Sequence, residues 1–198
     1  MNSTNINTDR TELRCLRCKE TAECFTPSAL VQEMLSKLGK YSKKSYTDPC
    51  FTYCDPACGN GNILVEVLKM KLSHKHDPDQ ALSTLYGCDI KQDNIRECRL
   101  RLLQIIRDSG TKITREHVKT VFNQIVLTSL KRYKEGSLSY DFSFENKSFE
   151  NKASGKDVDL WLDGIENEGW LDNPSAVTKS LLQADDNMAD ATESSIFD

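Results

Sequence analysis

The sequence lacks any long hydrophobic run. No stretch approaches the roughly 20 uncharged apolar residues that a transmembrane helix requires, and Met1 is followed by polar residues instead of a basic region and an apolar core. We therefore expect neither a membrane protein nor a secretory signal. Because the eight cysteines come without an export signal, we expect reduced thiols and a cytoplasmic location.

Strong charge of one sign is also missing. The 198 residues carry 26 Lys and Arg against 30 Asp and Glu, a formal net charge of −4. The charge is uneven, because residues 1–144 hold 22 basic and 17 acidic side chains whereas residues 145–198 hold 4 and 13. We predict a flexible N-terminus over residues 1–19, a mildly basic domain over residues 20–144 and an acidic tail over residues 145–198, disordered or folded only on a partner.

Two common nucleotide-binding strings are absent. The dinucleotide pattern G-x-G-x-x-G is not completed after Gly59 and Gly61, because position 64 is Leu. The P-loop pattern G-x-x-x-x-G-K-[ST] does not occur at all. Both absences argue against NAD binding of the usual kind and against nucleotide hydrolysis by a P-loop.

Hydrophobic periodicity predicts alternating strands and helices. Short strands are expected at residues 51–54, 85–90 and 124–127. Between them, helical spacing of apolar residues predicts helices at residues 63–72, 93–106 and 116–122, with a short helical or turn connection at 81–85. This alternation favours an α/β fold with a parallel sheet.

A further helix is predicted after Thr26-Pro27. The Thr26 hydroxyl suits a helix cap and Pro27 suits the first helical position, and Gly39 is placed to end the helix. One face should be buried, with apolar residues at helical spacing: Leu30, Val31, Met34, Leu35 and Leu38.

The turn after the first strand can bring backbone close to a ligand. Asp55 ends that strand, and Gly59-x-Gly61 leads into a helix whose first N–H groups are free. Asp89 ends the next strand, where its carboxylate can accept hydrogen bonds from ribose hydroxyls, or can instead cap the helix that follows. Ile90 can pack on a base or belong to the core.

Three segments of the chain, taken together, resemble a known family. Phe25-Thr26-Pro27, then the string from Asp55 to Leu64 (D-P-A-C-G-N-G-N-I-L), then Gly87-Cys88-Asp89-Ile90, look like successive motifs of S-adenosylmethionine-dependent adenine-N6 DNA methyltransferases. The resemblance covers about residues 20–127. It implies a Rossmann-like methyltransferase fold, with S-adenosylmethionine as the cofactor and DNA as a partner.

The resemblance also implies roles for single residues. Thr26 would hold the methionine part of the cofactor and the Asp55 carboxylate would lie near its amino group. Asp89 would bind the ribose and Ile90 would pack on the adenine. The implied cofactor-binding set is Thr26, Asp55, Pro56, Ala57, Gly59, Gly61, Asp89 and Ile90.

The family's catalytic string, [DNS]-P-P-[YF], is not found. It contacts the adenine once that base has been flipped out of the duplex. The nearest string, Asp172-Asn173-Pro174-Ser175, has one proline and lies in the acidic tail. Only about three strands are predicted where the family's sheet has seven, and such an incomplete sheet leaves an unpaired edge.

Two functions are consistent with these features. In the first, the chain is a cofactor-binding domain, inactive alone, and a partner chain supplies the catalytic and target-recognition half. In the second, it is an inactive relative that acts as an interaction or regulatory protein through its acidic tail, with Trp161 and Trp170 as anchors for a partner. A compact gene of this kind is also consistent with a phage or mobile element.

Other polar residues give weaker signals. Cys15, Cys18 and Cys24 resemble half of a zinc site without a fourth ligand, so free thiols and no metal are expected. Basic residues can contact DNA phosphates or form solvated surfaces: Lys37, Lys40, Lys43, Lys44, Arg99, Arg101 and Arg107. Surface positions are expected for the three histidines: His74, His76 and His117.

Overall fold

The computed structural model describes residues 26–127 and 154–178. The sheet that it contains is parallel, with the order β1-β2-β3. Its strands are β1 (Tyr53–Asp55), β2 (Leu85–Asp89) and β3 (Ile125–Leu127). Asp55 pairs with Gly87, and Asp89 pairs with Leu127. The predicted α/β class with a parallel sheet is confirmed.

Helices flank this sheet. The longer ones are α1 (Ser28–Tyr41), α3 (Asn62–Ser73), α5 (Gln92–Asp108), α6 (Arg115–Gln124) and α7 (Gly155–Asn167); the short ones are α2 (Lys44–Thr47) and α4 (Pro78–Ser83). The helices after the first and second strands start and end within two residues of the predicted limits, because their apolar residues recur at helical spacing. Within the described ranges, no helix is long and apolar enough to cross a membrane.

The core is built between the sheet and helices α3, α5 and α6. Leu64, Val67 and Leu68 of α3 are buried under the sheet, and α5 contributes Leu102 and Leu103. The Lys71 side chain is also buried, and its ammonium donates to the carbonyls of Phe51 (2.7 Å) and Pro49 (3.3 Å). Burial lowers the pKa of Lys71, and these bonds hold the segment that leads into β1.

Helix α1 differs from its prediction in three respects. Pro27, not Thr26, is the N-cap residue, and no side chain caps the helix. The helix runs past Gly39 to Tyr41. The predicted buried face is only partly buried, because Val31 is enclosed while Leu30 and Met34 are each 47% exposed. Among the described longer helices, α1 packs mainly on α3.

Residues 154–178 pack on the body, so the expectation of disorder or partner-dependent folding is wrong for this part of the tail. Ser154 and Asp157 form a capping box at the start of α7. Trp161 and Trp170, which the sequence analysis considered as anchors for a partner, are each 5% exposed and pack inside the domain. The Trp161 ring meets Phe122 of α6 edge to face, with centroids 4.9 Å apart.

Trp170 reaches this position because Gly164 leaves room for it. A Cβ atom on Gly164 would lie 2.1 Å from the indole of Trp170. The indole N–H donates to Glu168 at 2.9 Å. The acidic residues of α7 are exposed, whereas Val158, Trp161 and Gly164 are buried. The predicted limits at residues 19 and 144, and the expected flexibility of residues 1–19, lie outside the described residues.

Candidate cofactor site at the ends of β1 and β2

The two predicted ligand-binding segments meet in the structure. The Gly59 amide donates to Oδ2 of Asp89 at 3.1 Å, and the Cys58 amide donates to the Cys88 carbonyl at 2.9 Å. The bend after β1 is therefore tied to the end of β2. This is the carboxyl edge of the sheet, where open parallel α/β sheets bind ligands.

Both glycines of the bend have backbone conformations that favour glycine. Gly59 has φ +51° and Gly61 has φ +85°, each in the left-handed region. Gly61 also packs so closely on α5 that a Cβ atom would lie 2.5 Å from the Cys98 sulfur. Helix α3 then begins at Asn62 without a side-chain cap.

Asp89 contacts the start of the helix that follows it and also the glycine bend. Its Oδ1 accepts from the Lys91 amide at 2.8 Å and from the Asn94 side chain at 3.3 Å, so it helps to start α5. Its Oδ2 accepts from Gly59. A carboxylate offers about four lone-pair sites, so Oδ2 can accept one further hydrogen bond from a ligand.

Asp55 is a second carboxylate at the same edge. Its Oδ1 accepts from the Ala57 amide at 3.2 Å. Burial raises the pKa of Asp55, the Ala57 amide opposes this effect, and the charge of Asp89 adds to the rise. Two carboxylates in a partly buried site favour a cationic ligand, because a positive charge offsets both burial and repulsion.

The remaining predicted residues surround this pair. Ile90 follows Asp89 and is 69% exposed, so its side chain is available to a flat ligand. The Thr26 carbonyl accepts from the Asn62 side chain at 2.9 Å, which places Thr26 beside the start of α3. The Pro56 carbonyl contacts the Cys88 thiol at 3.1 Å, and Ala57 is exposed on the bend.

Helix α5 holds the bend through contacts that the sequence analysis missed. Arg101 donates to the Asn60 carbonyl at 2.7 Å and to the Asn62 side chain at 2.8 Å. Glu97, one turn earlier, accepts from the Asn60 side chain at 3.1 Å and from the Ser175 hydroxyl at 2.9 Å. Their spacing of four residues on an amphipathic helix was the available signal, since it puts both on one face.

For the arginines of α5, the sequence analysis left phosphate contacts and a solvated surface open, and the structure shows a third arrangement. Arg99 is 7% exposed and donates to the Ile125 carbonyl from below β3. Arg107 pairs with Asp172 at 2.7 Å. With Arg101 bound to the bend, all three arginines bind protein groups inside the domain. Phosphate contacts by them are therefore not expected.

Cys58 lies inside the bend but is not an activated nucleophile. Its hydrogen bond with the Cys98 thiol and its burial both raise the pKa of Cys58, so the thiol stays protonated. A protonated thiol is a poor nucleophile. The residue instead fills space beside Gly87, where a Cβ atom would lie 3.1 Å from the Cys58 sulfur.

The string Asp172-Asn173-Pro174-Ser175 does not reach the cofactor edge directly. Asp172 is bound to Arg107 at the far end of α5, and the Ser175 hydroxyl donates to Glu97. The surface prediction for His117 is wrong: it is 4% exposed, and its ring bonds Asp79 and the cap residue Thr114. Cys15, Cys18 and Cys24 lie outside the described residues, which contain no cluster suited to a metal ion.

Comparison with known proteins agrees with the three motifs. The model of the family described as N-6 DNA Methylase matches residues 15–154. The chain is 24% identical over 141 residues to the Type II methyltransferase M.VspI of Vibrio sp. (strain 343). That match covers 71% of this chain but 28% of the relative. No solved structure matches significantly. Because the family model matches well over half of its residues, the chain belongs to the N-6 DNA methylase family.

Proposed function

We propose that the chain binds S-adenosylmethionine at the carboxyl edge of β1 and β2. The observation that carries this proposal is the hydrogen bond between the Gly59 amide and Asp89, which joins the glycine bend to the second carboxylate. Family membership supports the choice of cofactor. The charge of the site supports it too, since a sulfonium and an ammonium both suit two carboxylates.

Each part of the cofactor has a partner of matching chemistry. Asp55 binds the ammonium of the methionine part, and Thr26, beside the start of α3, also holds the methionine part. Asp89 accepts a ribose hydroxyl at Oδ2, its oxygen with spare capacity. The exposed Ile90 side chain packs on the adenine ring.

The reaction we propose for the complete enzyme is methylation of adenine N6 in DNA. The methyl group moves from the sulfonium sulfur to N6, the sulfur becomes a thioether, and N6 loses a proton. Family membership motivates this proposal. The chain spans about 28% of the length of M.VspI, and its sequence holds no [DNS]-P-P-[YF] string. Because that string is absent, we propose that a partner chain, which brings the DNA, supplies base recognition and target recognition.

The described cysteines agree with a reducing compartment. Cys50 and Cys54 are exposed free thiols, and Cys58, Cys88 and Cys98 are buried free thiols. A cytoplasmic location is the compartment that we propose, because exposed thiols there stay reduced.

Calorimetric titration tests cofactor binding. We expect S-adenosylmethionine to bind the wild type, and we expect at least tenfold weaker binding to Asp89→Asn. The matched control is Asp108→Asn, an exposed carboxylate at the other end of α5, which should bind as the wild type does. Equal affinity of both variants, or no binding by the wild type, contradicts the proposed site.

A second function, an inactive interaction protein, predicts a different result. It requires no cofactor binding together with a stable complex through residues 145–198. The burial of Trp161 and Trp170 removes the two anchors first assigned to that complex.

A methyl-transfer assay with candidate partner, DNA and labelled cofactor then tests the enzyme itself. No transfer in any combination contradicts the role as a methyltransferase half.

A further inference from the structure

Residues 170–178 lie along α5 and are tied to that helix at two points. Toward the end of α5, Arg107 donates to Asp172 at 2.7 Å. Nearer its start, the Ser175 hydroxyl donates to Oε1 of Glu97 at 2.9 Å. Ten positions separate Glu97 from Arg107, which corresponds to about 15 Å along a helix. The 170–178 segment therefore runs back along α5 toward the cofactor edge.

The 170–178 segment has an ordered conformation of its own. Leu171 and Thr178 are buried. Between them, the Asn173 side chain accepts from the Ala176 amide at 3.3 Å, as a helix cap does. Ser175 lies within this capped turn, so its hydroxyl is held in place to meet α5.

Glu97 joins this segment to the glycine bend. The same Oε1 that accepts from Ser175 also accepts from the Asn60 side-chain amide at 3.1 Å. Asn60 is buried, and its Oδ1 has no hydrogen-bond partner among the described residues. Without Glu97, both polar groups of this buried side chain would be unpaired, which is unfavourable. The bend therefore depends on Glu97.

The orientation of Asn60 affects the proposed cofactor site directly. The residue before it, Gly59, donates its amide to Asp89 at 3.1 Å. Glycine restricts backbone rotation very little, so the direction of the Gly59 amide depends on how its neighbour is held. Asn60 is held at its carbonyl by Arg101 at 2.7 Å and at its side chain by Glu97. A shift of the Glu97 carboxylate therefore alters the bend at the point where it meets Asp89.

We propose that Glu97 and Ser175 are positioning residues of the cofactor site, and that docking of the 170–178 segment on α5 favours cofactor binding. In the docked state, the Ser175 hydroxyl holds the Glu97 carboxylate against Asn60. In the released state, Glu97 turns toward solvent and the bend loses this hydrogen bond. Because coupling between two equilibria is reciprocal, bound cofactor also holds the segment on α5. The inference rests on the proposed function for the identity of the ligand, whereas the link between segment and bend is testable without it.

Hydrogen exchange of the free, full-length protein tests that link with two matched variants. Ser175→Ala removes the hydroxyl, and Ser175→Thr keeps it. We expect the Gly61 amide, which donates to the Cys58 carbonyl at 2.8 Å, to exchange at least roughly threefold faster in Ser175→Ala and at the wild-type rate in Ser175→Thr. Tryptophan fluorescence verifies that the core around Trp161 is intact in both variants. Equal exchange in the wild type and Ser175→Ala overturns the proposal, whatever the cofactor does.

Calorimetric titration with S-adenosylmethionine tests the effect on the site. We expect Ser175→Ala to bind roughly threefold to tenfold more weakly than the wild type, and Ser175→Thr to bind equally well. The double variant Ser175→Ala/Glu97→Leu should bind no more weakly than Glu97→Leu, because Ser175 acts through Glu97. Equal affinity of the wild type and Ser175→Ala, or additive losses in the double variant, overturns the proposal but not the cofactor site. No binding by the wild type is the separate failure of the proposed function, and it overturns the coupling with it.

The reciprocal effect gives a further result that needs no substitution. The Val177 amide donates to the Asn173 carbonyl at 3.2 Å within the docked segment. Saturating S-adenosylmethionine should slow its exchange in the wild type by about the factor by which Ser175→Ala weakens binding. The Glu168 amide, which donates to the Gly164 carbonyl at the end of α7, is the internal control and should not change. Unchanged exchange at Val177 in the bound protein contradicts the coupling.

Discussion

Replacing Gly61 by alanine should strongly destabilise the domain, because two separate costs meet at this position. The residue has φ +85°, where a Cβ atom costs about 1–2 kcal/mol. The new Cβ would also lie 2.5 Å from the Cys98 sulfur and 3.2 Å from the Cys98 Cβ. Forcing a methyl group into such a packed site costs roughly 1–3 kcal/mol. We expect a total loss of about 2–5 kcal/mol in the free energy of unfolding.

Gly110→Ala is the matched control for this change. Gly110 has φ +90°, but its Cβ would meet no atom within 4 Å. It should lose only the conformational part, about 1–2 kcal/mol. The difference between the two variants therefore measures how tightly the bend packs on α5.

Urea unfolding followed by tryptophan fluorescence measures both variants, since Trp161 and Trp170 are buried reporters. The double variant Gly61→Ala/Cys98→Ala should recover part of the steric cost, which appears as a coupling of about 0.5–3 kcal/mol in the mutant cycle. If Gly61→Ala is no more destabilising than Gly110→Ala, the bend does not pack on α5 and the described geometry is wrong.

Three further changes test other contacts. Asp55→Asn should stabilise the free protein at neutral pH and abolish cofactor binding. Because the pKa of Asp55 is raised, the folded state favours the protonated form. The difference in the free energy of unfolding between the variant and the wild type, measured in urea, should therefore shrink as the pH falls through that raised pKa toward the ordinary value of 3.8. Arg101→Met should destabilise by about 1–3 kcal/mol, because two acceptors on the bend lose their donor, and it should weaken cofactor binding by calorimetry; unchanged affinity would show that α5 does not position the bend. Trp161→Ala should destabilise by about 3–5 kcal/mol in urea, and a loss below 1 kcal/mol would contradict its place in the core.

The strands and helices of residues 51–127 could be predicted because their signals are local. Apolar residues at helical spacing placed α3 and α5, and the glycine bend placed the end of β1. The limits of α1 were less predictable. Leu30 and Met34 have the spacing of a buried face, but burial depends on which elements lie opposite, and spacing alone does not contain that information.

The carboxylates of the candidate site were also predictable, since parallel strands bring their carboxyl ends to one edge. The contacts of Arg101 and Glu97 with the glycine bend could not be predicted, because they join residues about 40 positions apart in the sequence. Helix α7 was missed for a different reason. Its acidic composition favoured a prediction of disorder. The capping pair Ser154 and Asp157, and the helical spacing of the apolar residues that follow, were the signals that indicate a helix.

The catalytic string shows a limit of literal pattern matching. Asp172-Asn173-Pro174-Ser175 keeps one proline, but the structure places it along α5. Asn146-Lys147-Ser148-Phe149 keeps the first and last residue types of [DNS]-P-P-[YF], with Lys and Ser where the two prolines would stand. Residues 146–149 lie outside the described part of the chain.

Amide NMR spectra with and without S-adenosylmethionine test the central claim most directly. Binding where the glycine bend meets Asp89 should shift the amide signals of Gly59, Gly61 and Ile90 and leave that of Gly110, at the far end of α5, unchanged. The Gly59 signal is the most informative, because that amide donates to the carboxylate proposed to bind the ribose. Saturating cofactor that leaves these three signals in place, or that shifts them equally in Asp89→Ala, would contradict the account.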